Sequence, residues 1–120
     1  MSQHPPPAPA DIVPEPVFRA VAQIANKILA DRPRLRIVLF GSRASGTADL
    51  RSDVDIGIDA GEALPLELLN RIREAFEDLA MLQKVDVVDL AAADPEFRRL
   101  ALASIVPLYE REAEVAGRHA

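Results

Sequence analysis

The 120-residue sequence contains no cysteine and no tryptophan, and its two histidines, His4 and His119, lie near the ends of the chain. The absence of cysteine excludes disulfides, thiolate metal ligands and thiol nucleophiles, and imidazole catalysis is nearly excluded as well. Long apolar runs are also missing, because none approaches the roughly 18 residues that cross a bilayer. We therefore expect no membrane span and a chemistry based on oxygen, ammonium or guanidinium groups.

Basic residues are fewer than acidic ones: the sequence has 14 Lys and Arg and 19 Asp and Glu, which gives a net charge of -5. This balance argues against a protein whose affinity comes from neutralising many phosphates, so we expect no direct nucleic-acid binding. Residues 1–16 hold six of the ten prolines and lack the features of a secretory signal. We predict a mobile tail over 1–16, one domain over 17–110, a charged tail over 111–120 and a cytoplasmic location.

Apolar periodicity predicts a mixed α/β fold of the α+β type. Spacings of three and four predict amphipathic helices over 17–29, 66–79 and 95–106, and strand patterns cover 35–40, 52–59 and 85–90. For the last helix the predicted inner stripe comprises Phe97, Leu100, Ala101, Ser104 and Ile105. We expect Pro107 to end that helix and the charged chain after Tyr109 to fray.

The lengths of the connections predict how the strands pair. Ten residues separate Ser42 from Asp53, which is too short for a crossover between parallel strands, so the first two strands should be antiparallel neighbours. A full helix separates the second strand from the third, which suits a right-handed crossover to a parallel partner. This topology brings Asp53, Asp55 and Asp86 to one edge of the sheet, beside the Gly41-Ser42 turn.

Aspartate is disfavoured in strands, yet Asp53 and Asp55 alternate on one strand and Asp86 lies on the next. Two carboxylates about 4 Å apart repel by roughly 4 kcal/mol at an effective dielectric constant near 20, so such a group should raise its own pKa values or recruit a cation. Mg²⁺ is the natural ion, because it prefers oxygen ligands and keeps positions for substrate phosphates. We expect two such ions.

The Gly41-Ser42-Arg43 segment has the composition of a phosphate-binding turn. A glycine lets the backbone approach an anion closely, the following amides and the serine hydroxyl are donors, and the arginine offers a forked donor set. Taken singly, each signal has a plainer explanation: an ordinary turn, a solvated strand face, or a surface arginine. Asp89 alternates to the core side and is interpreted as a strand-end or capping residue.

Together these residues carry a resemblance. The segment GSRASGTADLRSDVDIGI, Gly41 to Ile58, resembles the Gly-Ser, ten residues, Asp-x-Asp signature of the DNA polymerase β-like nucleotidyltransferase superfamily. The short chain, VDVVDL and LYE resemble its minimal members, the MntA-type antitoxins that accompany HEPN-domain toxins. The resemblance implies the nucleotidyltransferase fold, with a small mixed sheet of about three or more strands packed with helices.

For the site, the resemblance implies that Asp53, Asp55 and Asp86 are the catalytic and metal-binding carboxylates and that Gly41 and Ser42 hold the triphosphate. It implies transfer of AMP from ATP to a hydroxyl, a tyrosine of the HEPN toxin in this branch, in a hetero-oligomer. The sequence departs from the family pattern at Ser45 and Pro107, and neither departure removes a metal carboxylate. The alternative is a non-catalytic nucleotide-binding antitoxin that neutralises its toxin by direct binding.

Overall fold

Four strands form one sheet: β1 (Arg34–Phe40), β2 (Val54–Asp59), β3 (Val85–Asp89) and β4 (Val106–Glu112). The structure, a computed structural model, describes residues 13–46 and 53–112. The strand order is β3-β2-β1-β4; β1 is antiparallel to both β2 and β4, and β2 is parallel to β3. The predicted pairings are therefore confirmed, and β1 is an inner strand of the sheet. Residues 47–52, including part of the predicted second strand, lie outside the described residues.

Four helical segments follow the predicted order: α1 (Glu15–Gln23), α2 (Ser42–Ser45), α3 (Leu66–Glu77) and α4 (Pro95–Leu102). Prolines at the starts of α1, α3 and α4, and acidic residues in their first turns, suit helix N-termini. The first predicted helix changes character after Gln23, because Ile24–Ile28 forms a π-helix closed by a hydrogen bond from Leu29 N to Ile24 O at 2.9 Å. None of the described helices combines the length and apolarity that a membrane span requires.

The core lies between α1, the π-helix and α3 on one side and one face of the sheet on the other. The alternating residues Leu35, Ile37 and Leu39 of β1 point into it. The same alternation on β2 buries Val54, Ile56 and Ile58, as the sequence predicts. Each fully buried branched aliphatic side chain contributes about 1.5–3 kcal/mol. This burial fixes the register, so the opposite face must carry Asp55 and its neighbours.

The end of the chain differs from the prediction. The helix predicted over 95–106 ends at Leu102, and residues 106–112, predicted to include a helix end and a fraying tail, form β4. β4 pairs with the otherwise open edge of β1 and satisfies its backbone groups. Pro107 does not end a helix; it lies in an edge strand, where its missing N–H is tolerated, next to a register shift at Ile37/Val38.

The predicted inner stripe of the last helix is also wrong, because α4 buries none of its residues. Phe97 is 42% exposed and Leu100 is 60% exposed. The reason is topological: α4 lies over the sheet face opposite the core. Its described links to that face include an edge-to-face contact between Phe97 and Phe40, with ring centroids 6.0 Å apart, and an ion pair from Arg98 to Asp59 at 3.2 Å.

Arg111 anchors β4 to the helical layer. Its guanidinium donates to the carbonyl oxygens of Leu29, Arg32 (3.1 Å) and Ala25 (3.3 Å), where the first helical segment ends. A cation suits the carbonyl-rich end of a helix. Tyr109, the single tyrosine, packs against the core and donates its hydroxyl to Asn26 Oδ1 at 3.3 Å. These contacts keep this segment in an ordered strand, although its charged composition had predicted that it would fray.

Replacing Arg111 with methionine keeps the apolar stem but removes all of these donors. We expect Arg111→Met to lower the free energy of unfolding by about 1–3 kcal/mol, because several carbonyls lose a charged partner. The matched control is Arg34→Met, since Arg34 is 74% exposed and its ion pair with Glu112 is long, at 3.9 Å. Urea unfolding of both variants measures the difference; equal losses would contradict the anchoring role.

Candidate nucleotide and metal site

The sheet register places two of the predicted carboxylates side by side. Phe40 of β1 pairs with Asp55 of β2, and Asp55 pairs with Asp86 of β3, so the three residues form one row across the sheet. Paired residues of neighbouring strands point to the same face. Asp53 lies one residue before β2 and is exposed. The topology therefore brings Asp55 and Asp86 together at the predicted edge, with Asp53 beside them.

Asp55 is the electrostatically strained member of this group. Burial raises the pKa of its carboxyl above the ordinary value of 3.8, and the charges of Asp86 and then of Asp53 raise this pKa further. The order of the causes shows that removal from water matters most and that both neighbours are close enough to repel. Repulsion of the Asp55 carboxylate by its two acidic neighbours thus accompanies its burial in the folded chain.

A cavity of about 480 Å³ opens in front of Asp55 and Asp86. This volume falls within the roughly 300–1,000 Å³ that is usual for small-molecule sites. Its walls comprise Phe40, Phe97, Arg73, Glu77, Lys84, Val85, Val87 and Val88 in addition to the two carboxylates. The pocket thus combines acidic, basic and aromatic groups, as a charged ligand with a flat ring requires.

Three of these wall residues were missed by the sequence reasoning. Lys84 lies 3.6 Å from Asp86 Oδ1, and Arg73 donates to Val87 O at 3.1 Å. Lys84 precedes Asp86 by two positions, so the alternation of a strand places both side chains on the same side. The sequence pattern therefore could have revealed Lys84 as a neighbour of Asp86. Arg73 comes from α3 and Phe97 from α4, and no sequence spacing relates either of them to the carboxylates.

Gly41 lies directly beside the Asp55 carboxylate. A Cβ atom on Gly41 would lie 2.4 Å from Asp55 Oδ2, so only glycine fits here without movement. Its backbone, with φ of 77° and ψ of -154°, also belongs to a region that is almost restricted to glycine. The turn at Gly41 and the acidic row, by which we mean Asp55 and Asp86, are therefore one structural unit, as the predicted topology requires.

The residues after Gly41 form a single helical turn, α2, which Gly46 ends in a left-handed conformation with φ of 82°. Gly41 and Ser42 are exposed beside the acidic row, where a ligand reaches them. Arg43, expected as a forked donor, is instead buried, with 8% of its surface exposed. Its role toward a phosphate stays a prediction.

Asp89 has a purely structural place, as its position on the core side indicated. Its carboxylate accepts from Leu64 N at 2.7 Å and from Ala91 N at 3.2 Å. Both donors are backbone amides of loops at the end of β3. Asp89 therefore caps this end of the sheet and lies apart from the acidic row.

The donor chemistry of the acidic row fits a hard divalent cation, because carboxylate oxygens are the ligands that Mg²⁺ prefers. Within residues 13–46 and 53–112, however, no three histidine, cysteine, aspartate or glutamate side chains are grouped as a formed metal site. Cation binding would have to draw the side chains of Asp53, Asp55 and Asp86 together.

The raised pKa of Asp55 leads to a pH-dependent stability prediction. The folded state binds this proton more tightly than the unfolded chain, so ionisation of Asp55 destabilises the fold as pH rises from about 4 through the raised pKa. We expect Asp55→Asn, without divalent cations, to raise Tm by about 2 °C at neutral pH and by nothing below about pH 4. Asp31→Asn is the control, because Asp31 is 83% exposed. A gain independent of pH would contradict the electrostatic cause.

The close approach at Gly41 is tested by comparing two glycines. Gly46 also has a positive φ, of 82°, but a Cβ there meets nothing within 4 Å. Gly41→Ala should therefore lower stability by about 1–3 kcal/mol more than Gly46→Ala, since it adds a clash with Asp55 to the backbone strain. Thermal or urea unfolding measures both. Equal losses would mean that the Gly41 and Asp55 contact is not tight.

Comparisons with known proteins agree with this geometry. Residues 23–114 match the family model of polymerase beta nucleotidyltransferases. Over 83 residues, 69% of this chain and 73% of the relative, the sequence is 32% identical to the probable protein adenylyltransferase MntA of Haemophilus influenzae.

Two solved structures share the fold. A minimal nucleotidyltransferase superposes with a TM-score of 0.52 at 28% identity, covering 75% of this chain and 94% of its own. A chain from a toxin-antitoxin structure with AMP-PNP gives a TM-score of 0.53 at 23% identity, covering 85% and 77%. Both the resemblance and the predicted fold class are confirmed: the chain belongs to the polymerase beta nucleotidyltransferase family and is a homologue of MntA.

Proposed function

We propose that this nucleotidyltransferase transfers AMP from ATP to a hydroxyl group of a partner protein, and that the partner is a HEPN-domain ribonuclease toxin which the modification silences. The observation that carries the proposal is the row of Asp55 and Asp86 packed against Gly41 at the mouth of a cavity. The similarity to MntA, a probable protein adenylyltransferase, supports the choice of AMP and of a protein acceptor. A tyrosine is the proposed acceptor residue.

In the proposed site each residue has a role that its position suits. The exposed Gly41 and Ser42 hold the β- and γ-phosphates through backbone amides and the serine hydroxyl, with Arg43 as a further donor. Asp53 and Asp55, together with Asp86, hold two Mg²⁺ ions. Bound Mg²⁺ supplies the positive charge that lets a triphosphate approach three carboxylates.

The transfer is an in-line displacement at the α-phosphorus. The acceptor oxygen forms the new bond to phosphorus, while the bond to the bridging oxygen breaks and pyrophosphate leaves with that electron pair. Asp86 orients the acceptor hydroxyl and accepts its proton, because it borders the same cavity as Asp55. Positioning of the two reactants provides most of the acceleration.

The decisive experiment incubates the purified chain, its HEPN-domain partner from the same genome, ATP and Mg²⁺, and weighs the intact partner by mass spectrometry. We expect the mass of one or more AMP groups on the partner, and tandem spectra that place them on tyrosine. Asp53→Asn and Asp55→Asn should reduce transfer by at least about 100-fold, as is usual when a charge-stabilising group is removed. Asp31→Asn should not reduce it, because Asp31 lies in the turn before β1, at the opposite end of that strand from Gly41.

The same experiment separates catalysis from simple binding. An unmodified partner that is nevertheless inhibited equally by the wild-type chain and by Asp55→Asn would refute AMP transfer. That result would favour the non-catalytic antitoxin. Omitting Mg²⁺, or adding EDTA, should abolish transfer while leaving the partner complex intact; transfer that persists in EDTA would contradict the proposed role of the carboxylates.

A further inference from the structure

A second concave surface adjoins the carboxylate cavity. It has a volume of about 400 Å³ and is formed by one face of α4 together with the end of β1. We call it the apolar shelf; it consists of Phe40, Gly41, Phe97, Leu100, Ala101 and Ser104. Phe97, Leu100 and Ala101 follow the spacings of three and four that place residues on one face of a helix, and Ser104 lies just beyond the end of α4.

The shelf is an apolar stripe that residues 13–46 and 53–112 leave exposed. Four large hydrophobic residues of the described chain are exposed, and two of them, Phe97 and Leu100, lie here. The helix α4 is amphipathic and begins at a well-formed cap, in which Asp94 accepts from Glu96 N and Phe97 N, yet it buries no residue. Adjacent exposed apolar groups of this kind mark interaction surfaces.

The shelf is continuous with the site. Phe40 and Phe97 line both the shelf and the cavity that contains Asp55 and Asp86, and their rings meet edge to face at the boundary. Phe40 is also the direct strand neighbour of Asp55. A chain segment seated on the shelf therefore ends within reach of the carboxylates.

The dimensions and chemistry of the shelf favour a protein segment over a nucleobase. From Phe97 to Leu102, the last residue of α4, a helical rise of about 1.5 Å per residue gives roughly 7.5 Å, and Ser104 extends the shelf beyond the end of the helix. Ser104 is its single polar side chain, so the hydrogen-bonding edges of a base would find few partners there. The apolar stripe of an amphipathic helix matches such a surface at the same spacing.

The charged side chains near the shelf also restrict which kinds of partner can bind there. Beyond Phe40 and Phe97 the adjoining cavity holds more acidic than basic side chains: Asp55, Asp86 and Glu77 against Arg73 and Lys84. The exposed Asp53 beside the cavity adds a further negative charge. A nucleic-acid backbone is repelled there, whereas lysine or arginine next to the acceptor hydroxyl is attracted. The occupant that fits both regions has an apolar helical stripe followed by a hydroxyl with basic neighbours.

We infer that the apolar shelf docks the acceptor-bearing segment of the partner protein and delivers its hydroxyl to Asp55 and Asp86. This inference rests on the proposed function for the identity of the partner and for the delivery of its hydroxyl. Leu100 is the specificity-determining residue in this arrangement, because it lines the shelf alone, whereas Phe97 lines the shelf and also borders the carboxylate cavity.

The test compares two exposed helical leucines. Leu100, 60% exposed, lies on the shelf, and Leu66, 68% exposed, lies at the start of α3. We expect Leu100→Glu to weaken binding of the HEPN-domain partner from the same genome at least tenfold by calorimetry without ATP, and Leu66→Glu to leave it unchanged. Phe97→Ala should weaken it similarly. Both leucine variants should keep the wild-type Tm and the wild-type affinity for AMP-PNP.

The outcomes separate this inference from the proposed function. Equal partner affinity for Leu100→Glu, Leu66→Glu and wild type would overturn the docking surface even if AMP transfer proceeds normally. Selective loss of binding in Leu100→Glu would support it even if the partner never receives AMP. Loss of AMP-PNP affinity in Leu100→Glu would also overturn it, because the shelf would then belong to the nucleotide.

Discussion

The contact between the Asp55 carboxylate and Gly41 is the constraint on which the arrangement of the site depends. It ties the acidic strand to the turn after β1, and it removes the carboxylate from water while Asp86 and Asp53 repel it. A fold dominated by hydrophobic burial tolerates such a cost when it is small compared with the free energy of core formation. A cation bound at the proposed site would relieve this repulsion, because a carboxylate destabilised in this way gains most from a nearby positive charge.

The packing of the core holds Asp55 in this position because it fixes the register of the strands. Leu39 and Ile56 are paired inside the core, so their neighbours Phe40 and Asp55 must be paired on the opposite face. A shift by one residue would bury the carboxylates and expose the aliphatic row. The parallel pairing with β3 then adds Asp86 to the same row. The site is therefore a by-product of packing on the other side of the sheet, which explains how so short a chain builds it.

Much of this arrangement was predictable from the sequence. The ten-residue connection after Ser42 and the helix before Asp86 determine pairing directions, and these alone bring the carboxylates together. The end of the chain was not predictable by the same means. In Val106–Glu112 the apolar alternation is interrupted by Pro107 and by charged residues, and a helical stripe runs into it from α4. The strand forms because β1 offers an open edge and because Arg111 donates to carbonyl oxygens of the first helical segment. Both interactions join residues that are far apart in the sequence, so local patterns do not reveal them. Phe97, Arg73 and the π-helix were missed for the same reason.

The central claim is that Asp53, Asp55 and Asp86 together form a cation-dependent nucleotide site next to Gly41. The most direct measurement is a crystal structure with Mn²⁺ and AMP-PNP, with data collected near the manganese absorption edge. We predict anomalous density in contact with these three carboxylates and triphosphate oxygens beside Gly41 and Ser42. Manganese or nucleotide bound elsewhere, for example in the arginine-lined cavity near Arg36 and Arg98 at the other end of the sheet, would contradict the account.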